Sequence, residues 1–419
     1  MQQHQLRDHL INRLDRDADA ILGLVQQMVR IPSENPSGDT TDLAAYLTDW
    51  LDERNLDHEV VAPQPTMPNI VSTFDGAEPG RHLVLNGHLD IFPAGDPTQW
   101  SVDPYAGVIA DGKLYGRGVI DMKAGTAASF LTYAYLHELR AQLPGRLTLT
   151  AVSDEETGGT WGTGYLMDNH PAVIGDCVLN GEPSTPYTIR FGEKGPVWLD
   201  MLVRTPGGHG AYTHLSPSAI QVTAEIIHEI EQLAGQSSPI PPDILEYVEA
   251  ARDELDAALG PGATDVVKQV TVNIGTIQGG VKTNVIAADC RTGVDLRTPP
   301  GMSAQSLLDQ VDQIIARHPG ASYDLFKLSE PSACPPDHEM VRILQRNAET
   351  VRGIRPKPAI SLGGTDCRFW RWRGIPAYVY GPTPYNMGAA DEYVTLDDLY
   401  GTVRVHVLSA FDYLTGASE

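Results

Sequence analysis

Two residues of NGHLDIFP, His88 and Asp90, are of types that could serve a cation. On an extended strand, side chains two apart leave the same face. One can then ligate a metal while the other fixes the ring or its surroundings from behind. A packed structural histidine accounts for the pair equally well. GRGVIDMKAG follows, with Asp121 standing 33 residues (121 − 88) beyond His88. Its glycines allow a tight approach, and Asp121 is predicted to begin a helix. There it is either an ordinary N-cap or a carboxylate bridging two cations. SDEETGG supplies Glu155 and Glu156 at the end of a strand. Adjacent carboxylates at a glycine-flanked turn are costly unless solvated or engaged by cations. Such a turn can send one to metal and one to water, the roles of ligand and general base in metal-assisted hydrolysis. NGEPS places Glu182 after a short strand. A set of His and carboxylates without thiolate favours zinc, manganese or cobalt at an open catalytic position over a closed structural zinc.

These residues must be held at strand ends and turns, where α/β proteins build their sites. Helical and strand patterns do alternate along the chain, which predicts an α/β fold. Residues 6–30 and 40–54 carry apolar side chains at helical spacing. HEVVA, NIVSTF and RHLVLNGHLD read as strands, the last apolar enough to be covered on both faces. DMKAGTAASFLTYAYLHEL reads as a helix, and RLTLTAVSDEE and DCVLNGEPS as strands. From EKGPVWLDMLVRTPGG onward the order becomes β-α-β-β-α, a small α+β layer inserted in the larger α/β domain. The turn formers of residues 235–243 mark a longer excursion within that insert. After about residue 335 helix–strand alternation returns, and the chain closes with the helical pattern LDDLYGTVRVHVLSAFDYL.

The 419 residues are enough for two or three domains. Hydrophobic residues at 42% and charged residues at 20% are ordinary for a soluble globular protein. No apolar run approaches the roughly 20 residues needed to cross a bilayer. The charged, amphipathic first segment is not a secretory leader, so a cytoplasmic protein without a membrane partner is expected. A formal charge of −24 argues against nucleic acid, which requires clustered Lys and Arg. Cys177, Cys290, Cys334 and Cys367 lie far apart with no CxxC pair, as free thiols in a reducing compartment do.

GHLDIFP, GRGVIDMKAG, SDEETGG and GEPS occur in the order and at the separations of a known family. The chain resembles the metallopeptidases that include acetylornithine deacetylase, succinyl-diaminopimelate desuccinylase, aminoacylase and carboxypeptidase G. The likeness continues through TPGGHGAYTHLSPSAI, TNVIAADCRTGVDLR and SLGGTDCRFW, nearly the whole sequence. It implies a catalytic domain with a mixed sheet flanked by helices (residues 1–191 and 331–419) and an inserted α+β dimerisation or lid domain (192–330). It implies one or two divalent metals per chain, with His88 and Glu182 on one, Glu156 on the other and Asp121 bridging them. Glu155 would be the general base and Asp90 the support of His88. His209 matches a histidine that stabilises the tetrahedral intermediate across a subunit boundary, which implies a homodimer or higher homo-oligomer. Asn284 and Arg297 match residues that hold a substrate carboxylate or help the oxyanion, and Gly363, Gly364 and Thr365 match a pocket-lining loop. The implied reaction on a small-molecule substrate is hydrolysis of an amide C–N bond in an N-acyl amino acid or peptide-like compound.

One position departs from that pattern. The family carries a histidine ligand three residues before an Asp-Glu pair, and GPTPYNMGAADEYV has Gly388 there. A single-metal enzyme, a second metal with a substitute ligand, and a metal- or ligand-binding protein without turnover all follow from it. Tyr385, Asn386 and Cys367 are the nearest substitutes but read as pocket lining, and His406 as packing in a helix. The departure also admits a non-peptide C–N bond, with Trp370, Trp372, Tyr378, Tyr380 and Tyr385 either shaping a pocket for an aromatic amine or serving as core.

Overall fold

The computed structural model describes residues 3–237 and 240–416. Residues 238 and 239, inside the turn-rich stretch 235–243, lie outside the described residues. The chain forms two compact units, one of Met1–Phe191, Cys334–Ala359 and Thr365–Glu419, the other of Gly192–Ala333 and Ile360–Gly364.

The first unit is α/β, built on a mixed sheet. Its strands lie in the order Glu59–Val61, Asn69–Asp75, Pro144–Val152, Glu78–His88, Cys177–Asn180, Ala377–Val379 and Thr188–Glu193. Asn69–Asp75 runs antiparallel to Pro144–Val152, and the next three pairings are parallel. Leu83, Val84 and Leu85 are fully buried, as expected of a central parallel strand covered on both faces. Helices Ala124–Glu138 and Leu396–Thr415 supply much of that cover, the latter inward-facing through most of its length. Each fully buried Leu, Val or Phe in these layers contributes about 1.5–3 kcal/mol of transfer free energy.

Register determines which residues meet. His88 pairs with Val152, and Asn86 pairs with both Thr150 and Asn180. Three parallel strands therefore end nearly level, and the chain leaves each through His88, the turn after Ser153 and the Gly181–Glu182 step. Asn180 Nδ2 donates to Asn86 Oδ1 at 2.8 Å and locks that level buried edge.

The helix expected over 6–30 is two helices, Gln3–Arg16 and Ala18–Val29. They separate at Asp17, whose carboxylate is taken by Arg13 and by the Tyr135 hydroxyl at 3.1 Å. The second unit is an antiparallel sheet ordered Thr271–Gly279, Asp289–Thr298, Gly195–Arg204 and Ala321–Leu328. Val197, Leu199, Met201 and Val203 alternate inward against Ile226 and Ile230 of Ala219–Glu231 and Leu307 and Val311 of Ala304–Ile315. The excursion beyond residue 240 consists of three short helices, Pro242–Ala250, Arg252–Leu259 and Ala263–Val267. Among the described residues, no helix is long and apolar enough to cross a membrane.

Candidate active site

His88 is buried at the end of its strand, and its ring is oriented from both sides. Nδ1 lies 2.8 Å from the Asp90 backbone carbonyl. Only a protonated Nδ1 can donate there, so Nε2 is the nitrogen left for a ligand. Nε2 lies 3.1 Å from Asp121 Oδ1 and 3.3 Å from Glu182 Oε1. A lone pair facing two carboxylate oxygens is repulsive unless a proton or a cation sits among them. Burial works against a charge on His88, yet Glu182 and Asp121 outweigh it and hold its pKa well above the ordinary value.

The two carboxylates reach this point by different routes. Asp121 is not a helix N-cap: it has extended φ/ψ (−116°, 94°) in the kinked Val119–Lys123 segment ahead of helix Ala124–Glu138. That helix begins against the Gly181 backbone, so closely that a Cβ on Gly125 would lie 2.1 Å from the Gly181 carbonyl oxygen. Paired glycines at 125 and 181 are what let Glu182 stand beside Asp121. Burial, then the Asp121 charge, push the Glu182 carboxyl up to about 8.

The Asp154–Gly159 turn is pinned to the same place by Asp90. Its buried carboxylate accepts from the backbone N–H of Glu155 (3.2 Å) and Glu156 (3.1 Å) and from Asn35 Nδ2 (2.9 Å). Asp90 therefore organises the turn as much as it supports His88. Glu156 is half-buried; desolvation, then the Asp121 charge, raise its carboxyl well above the usual range, and its buried Oε1 has no hydrogen-bond partner. Glu155 Oε1 accepts from Arg368 Nη1 at 2.9 Å.

Ligand atoms of His88, Asp121 and Glu182 all lie within 4.8 Å of one another. An imidazole, clustered carboxylates and no thiolate form the donor set of a hydrolytic zinc, manganese or cobalt site. With the unpartnered Glu156 oxygen beside Asp121, the residues present fit a divalent cation.

The backbone of Gly388 is tied down by a buried ion pair. Arg117 Nη2 donates to the Gly388 carbonyl at 3.1 Å, and Arg117 Nη1 lies 2.6 Å from Glu392 Oε2. Glu392 Oε1 accepts from the Ile120 N–H at 2.9 Å, so this buried pair ties the Gly388 loop to the segment carrying Asp121. Tyr385 stacks on Tyr393 at 4.8 Å, and Asn386 Nδ2 donates to the Asp391 carbonyl. Both are engaged within their own loop. His406 is buried with Nε2 2.6 Å from the Tyr380 carbonyl, and burial lowers its pKa to about 4. Trp370, Tyr378 and Tyr380 are fully buried core residues.

In the second unit, His209 belongs to a two-residue strand, Gly208–His209, paired with Val285–Ile286. Asn284 precedes that partner strand, and its carbonyl accepts from the Gly210 N–H at 2.8 Å, so the two stand side by side. Arg297 is bound to Asp295 and donates to the Leu362 carbonyl at 3.0 Å, next to Gly363 and Gly364. Thr365 is buried in the first unit and accepts from the Cys367 N–H at the start of the following short helix. Sequence reading missed Arg117, Glu392, Asp366 and Arg368. Of these, only Arg368, between Cys367 and Phe369, carries the signal of a charged residue flanked by apolar ones; Arg117 stands between glycines, Asp366 follows Thr365 and Glu392 follows Asp391.

Residues 84–411 match the pattern of Peptidase family M20/M25/M40. The chain is 29% identical over 408 residues to succinyl-diaminopimelate desuccinylase of Cereibacter sphaeroides, covering 94% of this chain and 99% of that protein. It is 25% identical over 415 residues to N-formyl-4-amino-5-aminomethyl-2-methylpyrimidine deformylase of Halalkalibacterium halodurans, covering 90% of each. In fold it is similar to an M20 family metallo-carboxypeptidase from Sulfolobus solfataricus, with TM-score 0.83, 16% identity and coverage of 94% and 99%. The chain belongs to peptidase family M20/M25/M40 and is an enzyme that hydrolyses amide bonds.

Proposed function

We propose that the protein is a metal-dependent deacylase that cleaves the amide of an N-acyl amino acid or small peptide-like substrate, with Glu155 as general base. The observation that carries this reading is the His88–Asp121–Glu182 cluster, with the Glu155–Glu156 turn pinned beside it by Asp90. His88 and Glu182 would hold one cation and Glu156 a second, with Asp121 available to both. When bound, the cation lowers the pKa of water and polarises the scissile carbonyl.

Glu155 takes a proton from the attacking water and returns it to the leaving amine. Its place in the same turn as Glu156 keeps acid–base work and metal binding in one rigid element. Asp90 orients His88 and the turn. His209, contributed by a second copy of the chain in a homodimer, stabilises the oxyanion, where such a donor lowers the barrier by about 3–4 kcal/mol. Asn284, Arg297 and the Gly363–Gly364–Thr365 loop bind the rest of the substrate. Free cysteines support a reducing compartment, such as the cytoplasm.

The similar proteins are named for removal of succinyl and formyl groups, which supports an N-acyl substrate. The formyl-pyrimidine name favours, as a second reading, an acyl group on a ring-borne amine. The test is amine release from a panel of N-succinyl, N-acetyl and N-formyl amino acids, dipeptides and N-formyl aminomethyl heterocycles, after chelation and reconstitution with zinc, manganese or cobalt. Hydrolysis of the amino-acid amides, abolished by chelation, is expected. Metal uptake without hydrolysis of any member would overturn it.

A further inference from the structure

The reading of Glu155 as base leaves open what holds its carboxylate in place, and the structure contains a group suited to that task. Arg368 lies in the short helix Cys367–Arg371 and is almost fully buried. Its Nη1 donates to Glu155 Oε1 at 2.9 Å, and its Nη2 donates to the Gly158 carbonyl at 2.9 Å. One planar guanidinium thus grips both the carboxylate and the backbone three residues further along the same turn.

The helix that carries Arg368 is itself immobilised. Trp370 Nε1 donates to the Val173 carbonyl at 2.9 Å, Arg371 Nε donates to the Ala377 carbonyl at 2.9 Å, and both side chains are buried. Asp366, two residues before Arg368, is buried and accepts from Thr163 Oγ1 at 2.9 Å. Its other oxygen has no hydrogen-bond partner. The turn passes so near that a Cβ on Gly159 would lie 2.9 Å from that oxygen. A second buried carboxylate against the turn repels Glu155, and Arg368 is the cation that lets the two coexist.

We propose that Arg368 is a positioning residue for hydrolysis. It fixes one oxygen of Glu155, so that the carboxylate meets the attacking water in a single orientation, and it balances Asp366 so that Glu155 is not displaced. This rests on Glu155 being the base. Arg368 acts through Glu155, and its effect is read in turnover.

The experiment compares native protein with Arg368→Ala, Arg368→Lys, Glu155→Gln and the Glu155→Gln/Arg368→Ala double variant, all loaded with zinc. kcat, KM, bound zinc and thermal midpoint are measured on the best substrate of the panel. Arg368→Ala is expected to lose about 100-fold in kcat, the cost of a small misplacement of a reacting group. KM and bound zinc stay at native values. Methylguanidinium restores part of the rate and methylammonium does not. Arg368→Lys reaches only one of the two acceptors and falls between native and Ala; it carries the test where the Ala variant does not fold. The double variant is no slower than Glu155→Gln alone. Native kcat in a folded, zinc-loaded Arg368→Ala or Arg368→Lys, or full additivity in the double variant, would overturn the inference while Glu155→Gln remained about 100-fold or more below native. Native turnover in Glu155→Gln would instead remove the base itself, and this inference with it.

Discussion

The Arg117 guanidinium donates to the backbone carbonyl of Gly388 at 3.1 Å, across 271 residues of sequence. The bond fixes the loop at the position where the family resemblance implies a histidine, yet it uses only the backbone, so the side chain at 388 is free to change. Gly388 has φ +74°, and the nearest atom to a Cβ there is Phe92 Cδ2 at 4.0 Å. Gly388→His is therefore expected to fold, at a cost of roughly 1–2 kcal/mol for a left-handed non-glycine residue. It should hold one further equivalent of cation than the native chain. Denaturant unfolding and metal analysis of the two proteins check both statements, and equal stoichiometry would show that the ring does not reach the site.

Asp90 is the keystone of the site's backbone. Replacing it by Ala leaves three donors, Glu155 N–H, Glu156 N–H and Asn35 Nδ2, without their common acceptor. A loss of about 3 kcal/mol or more is expected, at about 1–3 kcal/mol for each abandoned buried group. Turnover should fall with it, because the turn carrying both glutamates is no longer held. Unfolding curves within 0.5 kcal/mol of native, roughly the scatter of a neutral surface change, would contradict this.

Removing the metal makes stability depend on pH in a stated direction. Burial and the Asp121 charge raise Glu182 to about 8, and carboxylate neighbours hold His88 above its usual value against the effect of burial. Both groups keep protons in the folded state that the unfolded chain has already released. The folded state therefore binds more protons, and stability falls as pH rises from the ordinary glutamate range toward about 8. A bound cation replaces those protons. The thermal midpoint of chelator-stripped protein should drop between about pH 5 and about pH 8, and its gap from metal-loaded protein should widen. A gap that narrows with pH would place the cation elsewhere.

How far the sequence discloses this site depends on the range of the interactions involved. His88, Asp121, Glu156 and Glu182 each stand at a strand end or in a glycine-bearing turn, so local pattern marks them, and the level ends of three parallel strands then bring them together. The α/β architecture and the inserted antiparallel layer are legible for the same reason: period-two and helical spacing are local properties. Arg368 on Glu155 spans 213 residues and Arg117 on Glu392 spans 275, and no spacing rule reaches that far. The break at Asp17 escapes notice because the apolar period runs on across it, while one of the two partners that take its carboxylate, Tyr135, is 118 residues away. Asp121 satisfies the pattern of a helix cap, and only the kinked backbone before Ala124 shows that its carboxylate turns to His88 instead.

The most direct test of the whole account is a paired measurement on Glu155→Gln: bound metal per chain, and turnover on the substrate that the native protein hydrolyses fastest. Metal content equal to native, with turnover reduced by about 100-fold or more, as loss of a general base costs, is the expected result. Native turnover with native metal content would contradict it, because the proton would then be carried by a group other than Glu155.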